Sequence, residues 1–178
     1  MAARTEKDFW IEMSVREVWT QCHFAELAYN NLDPKAKLNT DGVFSSIHSF
    51  LSHCAMVSKM LKAEADSLSI GNVLNVSDSS EIHNRRFRNH LEHYDERLQE
   101  WIRKKGVNAS IATYNIGPKS MFAVRGIVHV SHYDPSTEVF TFVDEDLPLR
   151  PIREEIVRIK NIADSWVQKL ESARRTAP

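Results

Sequence analysis

YDERLQEWIRKKGVNASIATYNI, residues 94–116, changes its apolar rhythm in the middle. Up to Lys105 the apolar residues Tyr94, Leu98, Trp101 and Ile102 recur three or four apart, the spacing of a helix buried on one side. Lys104 and Lys105 then complement the carboxyl end of a helix dipole, and Gly106 is a natural residue to end it. Beyond Gly106 the period becomes two. SIATYNI, AVRGIVHVS and EVFTFV are rich in β-branched and aromatic residues, and HYDPST carries Asp-Pro turn chemistry. This predicts a small antiparallel meander over about 109–144, closed by the acidic tip DED (144–146), which reads as a solvated turn, and by Pro148 and Pro151.

Working outward, the rest of the chain is helical. Ile11, Val15, Val18, Cys22, Ala25 and Tyr29 predict a helix over 6–31, ended by Asp33-Pro34, with Phe9, Trp19, Phe24 and Leu27 widening its apolar surface. Val43, Ile47, Phe50, Cys54, Val57 and Leu61 predict a second over about 41–65, with Thr40 or Asp41 as its cap. SLSIGNVLNVSDSS breaks the period and reads as a loop, with room for a short strand or helical turn near Val73 and Leu74. Asp78 and Glu81 have capping-box spacing for a third helix running to Lys105, with Phe87 and Leu91 extending its core face. Ile152, Ile156, Ile159, Ala163, Trp166 and Leu170 predict a last helix over 151–174, with Pro151 at its first position. The expectation is one mainly α domain over 1–178: a bundle of about four helices (6–105 and 151–174) with the β-insert before the last.

The bulk numbers suit such a domain: 178 residues, 42% hydrophobic and 26% charged. A formal net charge of −1 excludes a uniformly basic nucleic-acid coat and leaves only focal polyanion binding. No apolar run approaches a membrane span, the start has no apolar leader, and Cys22 and Cys54 both fall on apolar helix faces, so a reducing cytoplasm is expected.

The densest chemistry lies in RRFRNHLEHYDER, residues 85–97. On a continuous helix Arg86, His90, His93 and Arg97 share one flank beside the apolar row. Imidazole exchanges protons near neutral pH, and guanidinium offers a permanent fork to phosphate oxygens, so the pair suits phosphodiester chemistry. The same residues also make an ordinary solvated face, since Glu92, Asp95, Glu96 and Glu100 stand three or four positions from the arginines.

Arg88-Asn89-His90-Leu91-Glu92-His93 resembles the R-x4-6-H signature of the HEPN superfamily (higher eukaryotes and prokaryotes nucleotide-binding), in the form with a polar residue after the arginine. The resemblance implies a helical bundle, often dimeric, and a metal-independent endoribonuclease of toxin, defence or RNA-processing type, with RNA as substrate, no cofactor, and an antitoxin or regulatory protein as possible partner. It makes Arg88, Asn89 and His93 the catalytic residues: His93 acts on the 2′-hydroxyl or the leaving oxygen, Arg88 holds the phosphate, and Asn89 positions one of them. Arg86, His90 and Arg97 are then substrate-binding residues. Two features depart from the family pattern. The β-insert is long, and Arg88 and His93 stand roughly 140° apart on an ideal helix, so the site needs a helix that starts or kinks locally, or a second copy. The other reading is a non-catalytic regulatory helical module that binds nucleotide, RNA or an acidic protein.

Elsewhere, His83, His90 and His93 lack the framework of a metal site. His23, His48 and His53 read as bundle-edge histidines bonded to backbone. Arg125 and His129 read as an outward-facing strand pair, with His132 nearby.

Overall fold

A reciprocal hydrogen-bonded box starts the first helix: the Thr5 hydroxyl accepts from the Asp8 amide at 3.1 Å, and the Asp8 carboxylate accepts from the Thr5 amide at 3.1 Å. In the computed structural model, which describes residues 5–33, 39–84, 93–106, 110–122, 127–143 and 145–176, this helix is α1 (Glu6–Asn30). Helix α2 (Thr40–Leu61) is capped one residue earlier than the sequence suggests, by Asn39, whose side-chain oxygen accepts from the Gly42 amide at 2.9 Å. Replacing Asn39 by Ala leaves that amide without its partner and is expected to cost about 1 kcal/mol, read as a lower urea midpoint.

Helix α5 (Arg150–Thr176) comes last, and α1 packs against both α2 and α5. Val15, Val18, Cys22 and Ala25 of α1 meet Ile47, Phe50, Cys54 and Val57 of α2 and Ile152, Ile156, Ile159 and Ala163 of α5 in one core. The predicted periodicity is therefore the observed buried stripe. Polar ties flank it: Glu12 accepts from Arg16 at 3.1 Å and also bonds Arg174, and Lys160 pairs with Glu26.

The expected loop after α2 holds more structure than its composition suggests. β1 (Glu64–Ala65) and β2 (Leu68–Ser69) form a minimal antiparallel hairpin through Asp66 and Ser67, both at positive φ as a tight two-residue turn requires. One helical turn follows, α3 (Ile70–Val73), where a Cβ on Gly71 would stand 3.1 Å from the Leu61 carbonyl oxygen. Any larger residue would push α3 and the end of α2 apart by a few tenths of an ångström.

The third helix departs from expectation. Ser80, not Asp78, caps a short 3₁₀ turn at Glu81–His83, and Asn84 is already extended (φ −62°, ψ 111°). His93 is also non-helical (φ −124°, ψ 34°), and α4 begins at Tyr94 and ends at Lys105, with Gly106 at φ 79° behind it as predicted. An apolar row that keeps helical phase does not reveal where the backbone leaves the helix. Phe87 and Leu91 lie outside the described residues. α4 leans on the sheet, with the Tyr94 ring tilted against Phe142 at 4.9 Å and Trp101 buried.

The sheet has four strands in the order β3 (Ser110–Ile116), β4 (Ile127–Asp134), β5 (Val139–Phe142), β6 (Glu145–Pro148). β4–β5 and β5–β6 are antiparallel, but β3–β4 is parallel, which corrects the all-antiparallel meander. Alternation is the same in both kinds of pair; what differs is the connection, and residues 117–126, with a 3₁₀ turn at Lys119–Phe122, are too long for a tight hairpin. The insert is also longer than expected, since Glu145 and Asp146, solvent-exposed as expected, belong to β6 and not to the turn. The architecture is mainly helical with a four-stranded sheet and the small β1–β2 hairpin, and among the described residues no helix is long and apolar enough to cross a membrane.

Candidate functional site

Alternation across the sheet separates two rows of opposite character. Ile116, Tyr133, Phe140 and Leu147 are register partners and pack against the helical core. The neighbouring row, Asn115, His132, Thr141 and Asp146, is polar on every strand and lies on the opposite face. The Thr141 hydroxyl donates to Asp146 at 2.6 Å, and Lys119, from the turn between β3 and β4, pairs with the same carboxylate. His129 joins them: the β3–β4 register steps over Val130, which restores His129 to the face of His132, with the rings 4.7 Å apart.

The charge states follow from this packing. Burial, with His129 and Lys119 adding repulsion, lowers the pKa of His132. Burial opposes ionisation of Asp146, but hydrogen bonds from Lys119 and Thr141 outweigh it and hold the carboxyl below its usual range. His129, expected to face outward, is half-buried on this polar face away from the core, and His132, for which no orientation was expected, is fully buried beside an ionised carboxylate. Nothing in the local sequence marks the register step. Arg125, the other half of the predicted pair, lies outside the described residues.

The same depression by burial applies to His48, His53 and His83. Because these four histidines take a proton less readily folded than unfolded, they contribute stability above the unfolded pKa of about 6.5, and it is lost as pH falls through their folded values. The urea midpoint is expected to drop between pH 7.5 and 5.5, before carboxylate titration begins, and a His132→Leu chain should show a shallower slope. An unchanged slope would remove His132 from that account.

The predicted motif residues divide sharply. Arg86, Arg88, Asn89 and His90 lie outside the described residues. Both flanks of that segment are held. On the near side Ser58 of α2 bonds His83 at 3.0 Å and Ser80 bonds Glu155 of α5, so the 3₁₀ turn is tied to two helices of the core. On the far side His93 precedes α4, half-exposed, with Nδ1 3.2 Å from the Glu96 carboxylate. Arg97, one turn on, is engaged by Glu145 of β6 at 3.2 Å and fastens α4 to the sheet edge. A carboxylate on one imidazole nitrogen orients the ring and selects the tautomer that presents the other nitrogen outward.

The remaining candidates fall away on geometry. Burial pushes the Cys22 thiol up to about 12 and that of Cys54 well above its usual value, so neither is a nucleophile at neutral pH. His53 bonds the Gln21 side chain at 2.7 Å, where backbone was expected. Among the described residues no group of three or more His, Cys, Asp or Glu is placed to hold a metal ion. Sequence reasoning missed Glu96 as the orienting partner of His93, although three-residue spacing at a helix start was the available signal. Set against protein-family models, curated proteins and solved structures, the chain matches none.

Proposed function

We propose that this chain is a metal-independent endoribonuclease of the HEPN kind, built on a HEPN-like bundle of about four helices and acting as a homodimer whose second copy completes each site. The observation that supports the reading is His93: half-exposed at the head of α4, outside the helix, with its ring held by Glu96 at 3.2 Å. A residue outside the helix is not bound by the roughly 140° separation that a continuous helix imposes on Arg88 and His93.

In this reading His93 takes the proton from a ribose 2′-hydroxyl, whose oxygen attacks the adjacent phosphorus as the bond to the 5′-oxygen breaks. The proton then passes to that leaving oxygen, giving a 2′,3′-cyclic phosphate and a 5′-hydroxyl. Arg88 carries the phosphate charge and Asn89 positions it, with Arg86 and His90 extending the contact to neighbouring phosphates. Arg97 supports the site indirectly, through its hold on Glu145. The internal nucleophile confines cleavage to RNA.

The test is incubation of the purified chain with mixed RNA and, separately, the matching DNA, in EDTA. Cleavage of RNA alone, ending in cyclic phosphates, is expected. Abolition by EDTA would overturn the metal-independent mechanism, and RNA binding without turnover, weakened steeply by salt, would transfer the chain to the regulatory-module reading.

A further inference from the structure

Far along the chain from the His93 site, the end of α1, the β4–β5 turn and the first turn of α5 enclose a cleft of about 660 Å³. That size falls in the range of small-molecule sites. Its polar groups are arranged unevenly. Glu138 is fully committed, accepting from Arg150 Nε at 2.7 Å and from the Tyr29 hydroxyl, whose phenol burial and Glu138 keep protonated. Arg153 lies in the field of Glu138 but is only partly committed. Its guanidinium lies over the Tyr29 ring, 5.5 Å from the centroid, and its Nε is buried with no acceptor among the described residues.

A buried N–H without an acceptor is costly, and folded proteins seldom leave one. The location compounds the cost. Arg150 and Arg153 sit in the first turn of α5, which has no acidic residue, so two cations face the positive end of the helix dipole. Tyr29 fixes the plane of the Arg153 fork, and a planar fork with a free Nε edge matches a carboxylate.

The rest of the lining narrows the ligand. Among the described residues that line it, Asp33, Glu138 and Glu154 set three carboxylates against the two arginines, a formal balance of −1. Such a wall repels a phosphate dianion but accepts a ligand that carries an ammonium beside its carboxylate. Pro135, with the small exposed parts of Leu32 and Tyr133, adds apolar surface against which a side chain can lie. We infer that this cleft binds a zwitterionic α-amino acid with a large apolar side chain, its carboxylate on the Nε edge of Arg153 and its ammonium toward the acidic wall.

The experiment is isothermal titration of the full chain with L-phenylalanine and L-leucine, beside phenylalanine amide, N-acetylphenylalanine and inorganic phosphate. The expected result is binding of the free amino acids and at least tenfold weaker binding of both blocked forms. Arg153→Met should abolish binding, with only the small loss of thermal midpoint that its contact with the Tyr29 ring implies; a merely structural arginine would lower the midpoint and leave binding unchanged. If Arg153→Met fails to fold, Arg153→Lys keeps the charge, loses the fork, and should bind at least tenfold more weakly. No heat with either amino acid, equal binding of the amide, undiminished binding by the folded variants, or tighter binding of phosphate would each overturn the inference.

Discussion

The His93→Ala chain is expected to cleave RNA ~10² to 10⁴-fold more slowly than the parent, the usual contribution of a positioned acid–base group. It should melt at the parent temperature. The second expectation makes the first interpretable: the His93 side chain is about half exposed (49%) and its only described polar contact is with Glu96, which is more exposed still, so little folding energy resides there. Single-turnover cleavage and a thermal melt on the same preparation check both. A folded His93→Ala chain that cleaves at the parental rate removes the mechanism, whatever Arg88 does. A Glu96→Gln companion should lose less activity, because it weakens the orientation of the ring and leaves the ring in place.

Phe50→Ala is expected to do the converse, destabilising the chain by roughly 3–5 kcal/mol without touching the site. Phe50 is fully buried on α2, in edge contact with Tyr29 of α1 at 5.2 Å, within the core shared by α1, α2 and α5. Its removal leaves a cavity that three long helices cannot close by local adjustment. For a chain of this length the loss corresponds to a thermal midpoint lower by roughly 6–20 °C. Calorimetry would show it, and a shift of only a degree or two would mean that the α1–α2 contact is not as described.

These residues also mark how far the sequence could be read. Phe50, Val15 and Ile156 were legible because a one-sided buried helix imposes its period on composition, and burial follows directly from it. The break before Tyr94 was not legible, since Leu98 and Trp101 keep phase with the apolar residues upstream while the backbone at Asn84 and His93 is non-helical. Strand existence was readable from alternation, but strand direction was not, because a β-strand presents the same side chains to either neighbour. The approach of His129 to the buried His132 depended on a register step at Val130, a backbone event without a side-chain signature. At the candidate site, residue identity suggested His93 and missed Glu96. Proton chemistry is visible in a residue type, whereas orientation depends on a contact.

The placement of α1 between α2 and α5 has a consequence for how the molecule acquires its shape. Lys160 meets Glu26 across 134 positions of sequence, so α1 and α2 can pair as soon as both exist, yet one flank of α1 stays bare until the sheet has been made and α5 follows it. During synthesis that flank is exposed for as long as the ribosome takes to add well over a hundred residues, seconds to tens of seconds at ordinary elongation rates. A nascent chain of this design depends on protection from sticky encounters more than its finished stability would suggest.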